Sequence, residues 1–178
     1  MLRELGDRQG LADTVADLGH TVQRQGDIDR AQELYAEALH RYRELGDPSG
    51  AAFVLTHLGR LERERGDIVR AEALLQESLQ VSWRIGEAPM LTEAIEGLAE
   101  VACDRGEAIL CARLLGSAGA LRETTGIPLP AVHEPAITRC ETTARAALGE
   151  AGFAAARGEG RALAPDQVLA AIAATGMN

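Results

Sequence analysis

Apolar residues recur along the first forty positions with the spacing of a helix. Val15, Leu18 and Val22 are three and four positions apart, so they share one side of a helix that we expect to run from about Arg8 to Gln25. A second stripe of the same kind follows and consists of Ala31, Leu34, Tyr35 and Ala38. The pattern predicts two consecutive amphipathic helices, A and B.

The connection between helices A and B is short and contains residues that are typical of turns and helix caps. Gly26 is suited to the left-handed conformation that ends helix A, and Asp27 can cap helix B by accepting from free backbone N–H groups. Gly46 and Asp47 repeat this pair at the end of helix B, and Pro48 then takes a first-turn position. The sequence therefore predicts one α-helical hairpin that leads directly into another.

This hairpin returns with a period of forty residues. Leu58-Gly59 repeats Leu18-Gly19, and Gly66-Asp67 repeats Gly26-Asp27, while Gly106-Glu107 gives a weaker third copy. We expect an all-α chain whose residues 1–125 hold three helix pairs, at 8–47, 48–87 and 88–125. The pairs are expected to stack in a right-handed superhelix, which a C-terminal helical cap at residues 126–178 would close.

Small residues recur where the paired helices should touch. Gly19 and Gly59 are expected to let helix B approach the backbone of helix A, and Ala31 and Ala71 to do the same from the other side.

These residues resemble the signature of the tetratricopeptide repeat. The resemblance rests on Leu18-Gly19, Gln25-Gly26-Asp27, Ala31, Tyr35, Ala38 and Leu39. The forty-residue period exceeds the usual one, and helix B is longer, as in repeats that resemble those of kinesin light chains. The third copy fits more loosely, with Ala99, Cys111 and Gly119 at signature positions. The resemblance implies a helical-hairpin solenoid whose A helices line a concave, partner-binding face.

The first residues look like the end of a helix B. Leu2–Asp7 copies Tyr42–Asp47, so the chain opens inside a unit. Because solenoid units need capping neighbours, we expect either the tail of a longer array or a first helix that is covered by a partner or by self-association.

The sequence changes character after Leu114. A Pro-rich break at Gly126–Pro130 precedes a helix expected from Val132 to Leu148 and a short helix from Glu150 to Arg157. Residues 158–163 read as a connection, and a last helix is expected to run from Pro165 to near Thr175.

This tail resembles the end of the repeat region in large bacterial ATPase transcription regulators of the MalT and LuxR type. The resemblance rests on Ala144, Ala146-Ala147-Leu148-Gly149, Phe153 and Gly160-Arg161-Ala162-Leu163. No phosphate loop precedes the repeats, and the chain ends about where a helix-turn-helix domain would begin. ATP hydrolysis and DNA binding are therefore not expected of this polypeptide.

Composition narrows the class of partner. The net charge is −9, which disfavours nucleic acid and anionic membranes as direct partners. All 18 basic residues are Arg, so phosphate-loop and Schiff-base lysines are excluded. The three Cys lack C-x-x-C spacing and are expected to be reduced, packed thiols. With no apolar stretch long enough for a membrane span and no signal-peptide core, a cytoplasmic location is expected.

Catalytic and metal motifs fail on spacing. His133-Glu134 begins like a zinc-protease motif, but Ile137 stands where the second His is needed. Ser117 lies between Gly116 and Gly119 in a stretch that lacks the first Gly of a nucleophile elbow. We therefore expect no enzyme activity, no cofactor and no metal.

The A helices supply the candidate binding residues, if the concave face is carried over from the resemblance. Each set has helical spacing and occupies one helix face. The proposed partner-binding residues are Asp13, Asp17, His20 and Arg24 in the first unit, Phe53, His57, Arg60 and Arg63 in the second, and Glu93, Glu96 and Glu100 in the third.

Two interpretations of this face remain open. It could take an extended or helical protein segment, with Arg60 and Arg63 pairing carboxylates and Phe53 as an apolar anchor. It could also be an ordinary solvated surface of Arg and Glu. The expected function is a non-catalytic protein-interaction scaffold in cytoplasmic signalling or transcriptional control. The alternative is a detached C-terminal fragment of a multidomain ATPase and helix-turn-helix regulator, with a ligand-sensing role.

Overall fold

The chain forms a succession of α-helices of similar length. The computed structural model describes residues 2–175, and all regular secondary structure in that range is helical. The helices are α1 (Leu2–Arg24), α2 (Ile28–Leu45), α3 (Pro48–Glu64), α4 (Ile68–Ile85), α5 (Ala88–Asp104), α6 (Ala108–Thr125), α7 (Glu134–Arg161) and α8 (Pro165–Thr175). The predicted all-α class with repeated helical hairpins is confirmed. Between residues 2 and 175, no helix combines the length and the apolarity needed to cross a membrane.

Glycine ends the helices at regular intervals. Gly26, Gly66 and Gly106 follow the A helices, and Gly46, Gly86 and Gly126 follow the B helices, all with positive φ. A residue without a Cβ adopts this conformation without strain, so each glycine can release the chain into the next helix. The chain divides into two compact units, with the division between Met90 and Leu91.

The first unit packs α1 to α4 as two hairpins, with α2 against α3. Its hydrophobic core includes the buried side chains of Tyr35 and Tyr42. A Cβ added to Gly19 would lie 3.0 Å from the Tyr35 ring, and one added to Gly50 would lie 2.3 Å from the Tyr42 ring. Gly59 faces Leu75 in the same way, at 2.6 Å. The expected close approach at Gly19 and Gly59 is confirmed.

The first helix departs from the sequence expectation in two ways. It begins at Leu2 and runs through Gly6 without a break, whereas we expected a turn there and a new helix from about Arg8. Gly6 does not adopt the positive φ that Gly46 has at the equivalent position, so the helix continues through it. The side chains of residues 2–5, on which part of the repeat comparison rests, lie outside the described residues.

Leu18 also differs from its predicted place in the buried stripe. It is 47% exposed, and the buried face of α1 consists of Ala12, Val15, Ala16 and Gly19. The equivalent Leu58 is buried in the same core as Tyr42 of α2. Leu18 thus lies on the side of α1 that a preceding helix B would cover.

The second unit is organised by the crossing of α6 and α7. A Cβ added to Gly116 would lie 2.1 Å from the Arg157 carbonyl oxygen, and one added to Gly160 would lie 1.9 Å from that of Arg113. The two backbones are therefore in direct contact. The helix α7 continues to Arg161, so the connection expected at residues 158–163 is wrong for residues 158–161. Gly160 is a helical residue at the contact with α6.

The break inside α7 falls where the sequence placed it. Gly149 has φ 69° and ψ 164°, and the helix resumes after it. Arg145 on the near side of the break lies over the Phe153 ring on the far side, 4.3 Å from its centroid. This cation–π contact links the two sides of the bend.

Candidate functional site

Rings from α1, α2 and α3 come together on the first unit. The His57 ring of α3 lies 5.3 Å from the His20 ring of α1 and 4.4 Å from the Phe53 ring, measured between centroids. Beneath them, Tyr35 of α2 stacks on His57 at 5.4 Å. His20 is exposed, Phe53 and His57 are half-buried, and Tyr35 is buried. We call His20, Phe53 and His57 the aromatic face.

The aromatic face is positioned by the packing of the first hairpin. Tyr35 fits over Gly19, and its hydroxyl donates a hydrogen bond of 2.9 Å to Gln23 Oε1. Burial raises the pKa of Tyr35 well above its usual range, so the phenol stays protonated and remains a donor. The Tyr35 ring is therefore held in place beneath the His57 ring that stacks on it.

Acidic and basic side chains border this face on α1. The Asp13 carboxylate accepts 2.9 Å from the Tyr42 hydroxyl and 3.2 Å from Gln9 Nε2, so it serves the packing of the hairpin. Asp17 and Arg24 are exposed. A surface cavity of about 330 Å³ beside His20 is lined by Thr21, Arg24 and Gln25 as well.

Arg60 does not lie on the surface as the sequence predicted. It is only 6% exposed, whereas Arg63 is half-buried. The reason is that α3 is buried on most of its circumference, from Val54 to Glu62 with the exception of His57. The expectation that Arg60 is open to a ligand is corrected.

The acidic face predicted on α5 is also largely buried. Glu96 and Glu100 are 3% and 1% exposed, and Glu93 is half-buried. Glu96 receives Arg122 Nε at 2.6 Å and Nη2 at 2.8 Å, a bidentate pair. Arg122 also donates 2.7 Å to the Pro128 carbonyl, so Glu96 holds the end of α6 and the loop that follows. The prediction of a solvated acidic surface missed this ion pair because the sequence does not show which Arg crosses to the carboxylate.

The three cysteines form a cluster that sequence spacing did not indicate. Cys103 is near the end of α5, Cys111 is in the first turn of α6 and Cys140 is in α7. All three are buried, and their Sγ atoms lie within 4.8 Å of one another. The helices bring together residues that are 8 and 29 positions apart, so no short motif could have revealed it.

The chemistry of the cysteine cluster is that of neutral thiols. Burial and the neighbouring Cys140 raise the pKa of the Cys103 thiol. A hydrogen bond with Cys111 and burial raise the pKa of Cys140, and the carboxylate of Glu100 adds to the effect. Thr143 acts in the opposite direction and partly lowers the pKa of Cys103. Among the described residues, this cluster is the group whose geometry could hold a metal ion.

Comparisons with known proteins agree with the observed fold. Residues 11–82 match the family model for the tetratricopeptide repeat, over the segment that carries the first two hairpins. No curated protein matches the chain at a significant level. Among solved structures, the chain is similar to BtubC (BKLC) from P. vanneervenii, with a TM-score of 0.69 and 21% sequence identity.

That likeness covers 93% of this chain, and the chain spans 65% of the length of the solved protein. At this level of identity it shows the fold alone. The predicted tetratricopeptide-type helical fold is thus confirmed. Neither comparison tests the resemblance of the tail to ATPase regulators, which stays a prediction.

Proposed function

We propose that the chain is a non-catalytic interaction module that binds a protein segment on the aromatic face of its first unit. The main observation that supports this proposal is the contact of His20 on α1 with His57 on α3, which joins two successive A helices into one surface. Tetratricopeptide repeats generally bind protein partners, and residues 11–82 match that repeat. The proposal keeps the face predicted from the sequence, with its centre on α1 and α3.

The aromatic face suits an apolar or aromatic side chain of the partner. The Phe53 ring meets His57 edge-on and is half-buried, so a partner side chain could complete its burial. The imidazoles of His20 and His57 can each donate or accept a hydrogen bond to a peptide backbone. Asp17 and Arg24 at the border would set the charge pattern of the segment that fits.

The biological setting that we propose is cytoplasmic signalling or transcriptional control. It rests on the sequence resemblance alone. The other predicted residues are not proposed to contact the partner and only help to shape the helices. They are Arg63, Glu93 and the buried Arg60, Glu96 and Glu100. Asp13 has the same supporting role through its bond to Tyr42.

A peptide selection tests the proposal. Binders would be selected from a random peptide display library against the full chain, and their affinity measured by fluorescence anisotropy for wild type, His20→Ala, Phe53→Ala and His57→Ala. We expect each substitution to weaken binding at least tenfold, about 1.4 kcal/mol. The matched control is Val69→Ala, because Val69 is an exposed apolar residue of α4 outside this face.

Folding and binding are separated by two further measurements. Phe53 packs partly against the core, so its variant needs a thermal melt, whereas His20 is exposed and its loss should leave the melt unchanged. Because the chain has no Lys, the contact is mapped with a benzophenone on the peptide rather than an amine cross-linker. Peptides that bind the His20→Ala and His57→Ala variants as tightly as wild type would refute the aromatic face as the site.

A further inference from the structure

We propose that Cys103, Cys111 and Cys140 form a three-sulfur site for a trivalent thiophilic metalloid, with arsenite as the defining ligand. The three Sγ atoms lie within 4.8 Å of one another in the interior of the second unit. The site is independent of the aromatic face, which belongs to the first unit.

The distances suit a shared central atom. Sulfur atoms bonded at about 2.3 Å to one centre lie roughly 3.8 Å apart when the centre is tetrahedral and about 3.4 Å apart when it is pyramidal, as arsenic(III) is. The observed separations, all within 4.8 Å, exceed the pyramidal value by about 1.4 Å at most, which rotations of the cysteine side chains can supply. Because each cysteine lies on a different helix, α5, α6 and α7 would be tied together by the bound atom.

The charge balance selects the trivalent state. Three thiolates carry three negative charges, and the carboxylate of Glu100, which is 1% exposed, adds negative charge beside Cys140. Arg139 lies close to Cys103, but it pairs with Asp104 at 3.0 Å, so its positive charge is already balanced. A monovalent or divalent ion would leave the three thiolates with net negative charge in the interior, which is costly, whereas a trivalent centre neutralises all three.

The proton balance leads to the same choice. Arsenous acid, As(OH)₃, is uncharged, and it exchanges with thiols without creating charge in the interior. Three S–As bonds form and three As–O bonds break, while the three thiol protons leave with the three hydroxides as three water molecules. Arsenic and sulfur keep their oxidation states, so the reaction needs no oxidant or reductant.

A small cavity gives the ligand access to the sulfurs. It has a volume of about 50 Å³ and is lined by Cys103, Cys111, Thr143, Ala144 and Ala147, among others. On this measure a cavity needs only about 10–15 Å³ to admit one water molecule, so there is room for a small neutral solute beside the thiols. Thr143 is exposed, so the cavity borders solvent on that side.

Titration of the full, reduced chain with arsenite tests the proposal. The reductant should be a phosphine, because a dithiol would compete for arsenic. We expect one arsenic per chain, a native mass gain of one arsenic atom less three hydrogens, near-ultraviolet As–S absorbance and a higher melting temperature. Each of Cys103→Ala, Cys111→Ala and Cys140→Ala should weaken binding at least a hundredfold.

Each alternative result has a defined meaning. A mass gain with loss of only two hydrogens, or full affinity in any Cys→Ala variant that melts like wild type, overturns the three-sulfur site. Parallel titrations with Zn²⁺ and Cu⁺ check the charge argument, and tighter binding of either ion than of arsenite overturns the choice of a trivalent ligand. Thr142→Ala is the matched control, because Thr142 is an exposed residue of the same helix that does not line the cavity, and its arsenic stoichiometry should stay at one per chain.

Discussion

Single side chains decide how firmly each helix begins. Asp27 and Asp67 cap α2 and α4, accepting from the backbone N–H of Arg30 at 3.2 Å and of Arg70 at 3.0 Å. Glu107 occupies the same position before α6 but makes no such bond. Its backbone, with φ −81° and ψ 65°, resembles that of Asp67, with φ −83° and ψ 75°. The difference therefore lies in the length of the side chain.

Shortening Glu107 should add the missing cap. We expect Glu107→Asp to stabilise the chain by about 0.5–1 kcal/mol, and Asp67→Ala to destabilise it by about 1 kcal/mol through loss of the bond to Arg70. The free energy of unfolding from urea titration checks both values. Equal stability of Glu107→Asp and wild type would show that α6 needs no cap at this residue.

At the residue scale, sequence reasoning identified turns and caps better than exposure. Gly26 and Asp27 act as predicted, because their roles depend on neighbours within four positions along the chain. The environment of Glu96 depends on a side chain from the next helix, as its pair with Arg122 shows. A spacing rule places a residue on a helix face but does not say what covers that face.

The crossing of α6 and α7 depends on the absence of two side chains. At Gly116 and Gly160 an added Cβ would meet backbone atoms, which cannot rotate away. Gly158, two residues from Gly160 in the same helix, has nothing within 4 Å of an added Cβ. This position offers a matched control for the crossing.

Alanine should have opposite effects at these glycines. We expect Gly116→Ala and Gly160→Ala to destabilise the second unit by about 1–3 kcal/mol through overpacking. Gly158→Ala should instead stabilise by about 0.5–1 kcal/mol, because alanine favours the helix. Thermal melts followed by circular dichroism compare the three variants. A Gly160→Ala variant that melts like Gly158→Ala would contradict the direct backbone contact.

At the element scale, the sequence predicted the break in α7 but not the end of that helix. Gly149 was recognisable because it separates two stretches with helical character, Val132–Leu148 and Glu150–Arg157. Gly158 and Gly160 suggested a connection, yet one is a helical surface residue and the other a contact residue. Glycine favours several structures locally, so its role here was set by the helix that packs against it.

For the whole molecule, the open side of α1 is the feature with the widest consequence. Leu11 and Leu18 are seven positions apart, share one face and are each 47% exposed. The equivalent Ala51 and Leu58 of α3 are buried in the core of the first unit. We propose that α1 presents a surface shaped for another helix B and that the chain self-associates through it.

Charges on this surface should keep the chain monomeric. We expect Leu11→Glu combined with Leu18→Glu to abolish concentration-dependent association in sedimentation velocity, because burial of the carboxylates would be unfavourable. Val69→Glu is the control, since Val69 is exposed on α4. A wild-type chain that sediments as a monomer at every concentration would contradict the proposal.

The repeat was the part of the whole molecule that the sequence predicted most completely. Its period was visible in Leu18-Gly19 and Leu58-Gly59, since identical contacts recur along the chain. The meeting of Cys103 with Cys140 occurs once and outside the periodic contacts, so no self-comparison of the sequence could predict it.

The regular spacing of the glycines that end the helices also governs how such a chain can be lengthened or shortened. These glycines are Gly26, Gly46, Gly66, Gly86, Gly106 and Gly126. Each of these glycines lies twenty residues after the previous one. The A and B helices, however, bury different faces: the buried face of an A helix includes Gly59, and that of a B helix includes Ala71. Inserting or deleting forty residues between two of these glycines keeps A and B helices in alternation, whereas inserting or deleting twenty would place two helices of the same kind side by side.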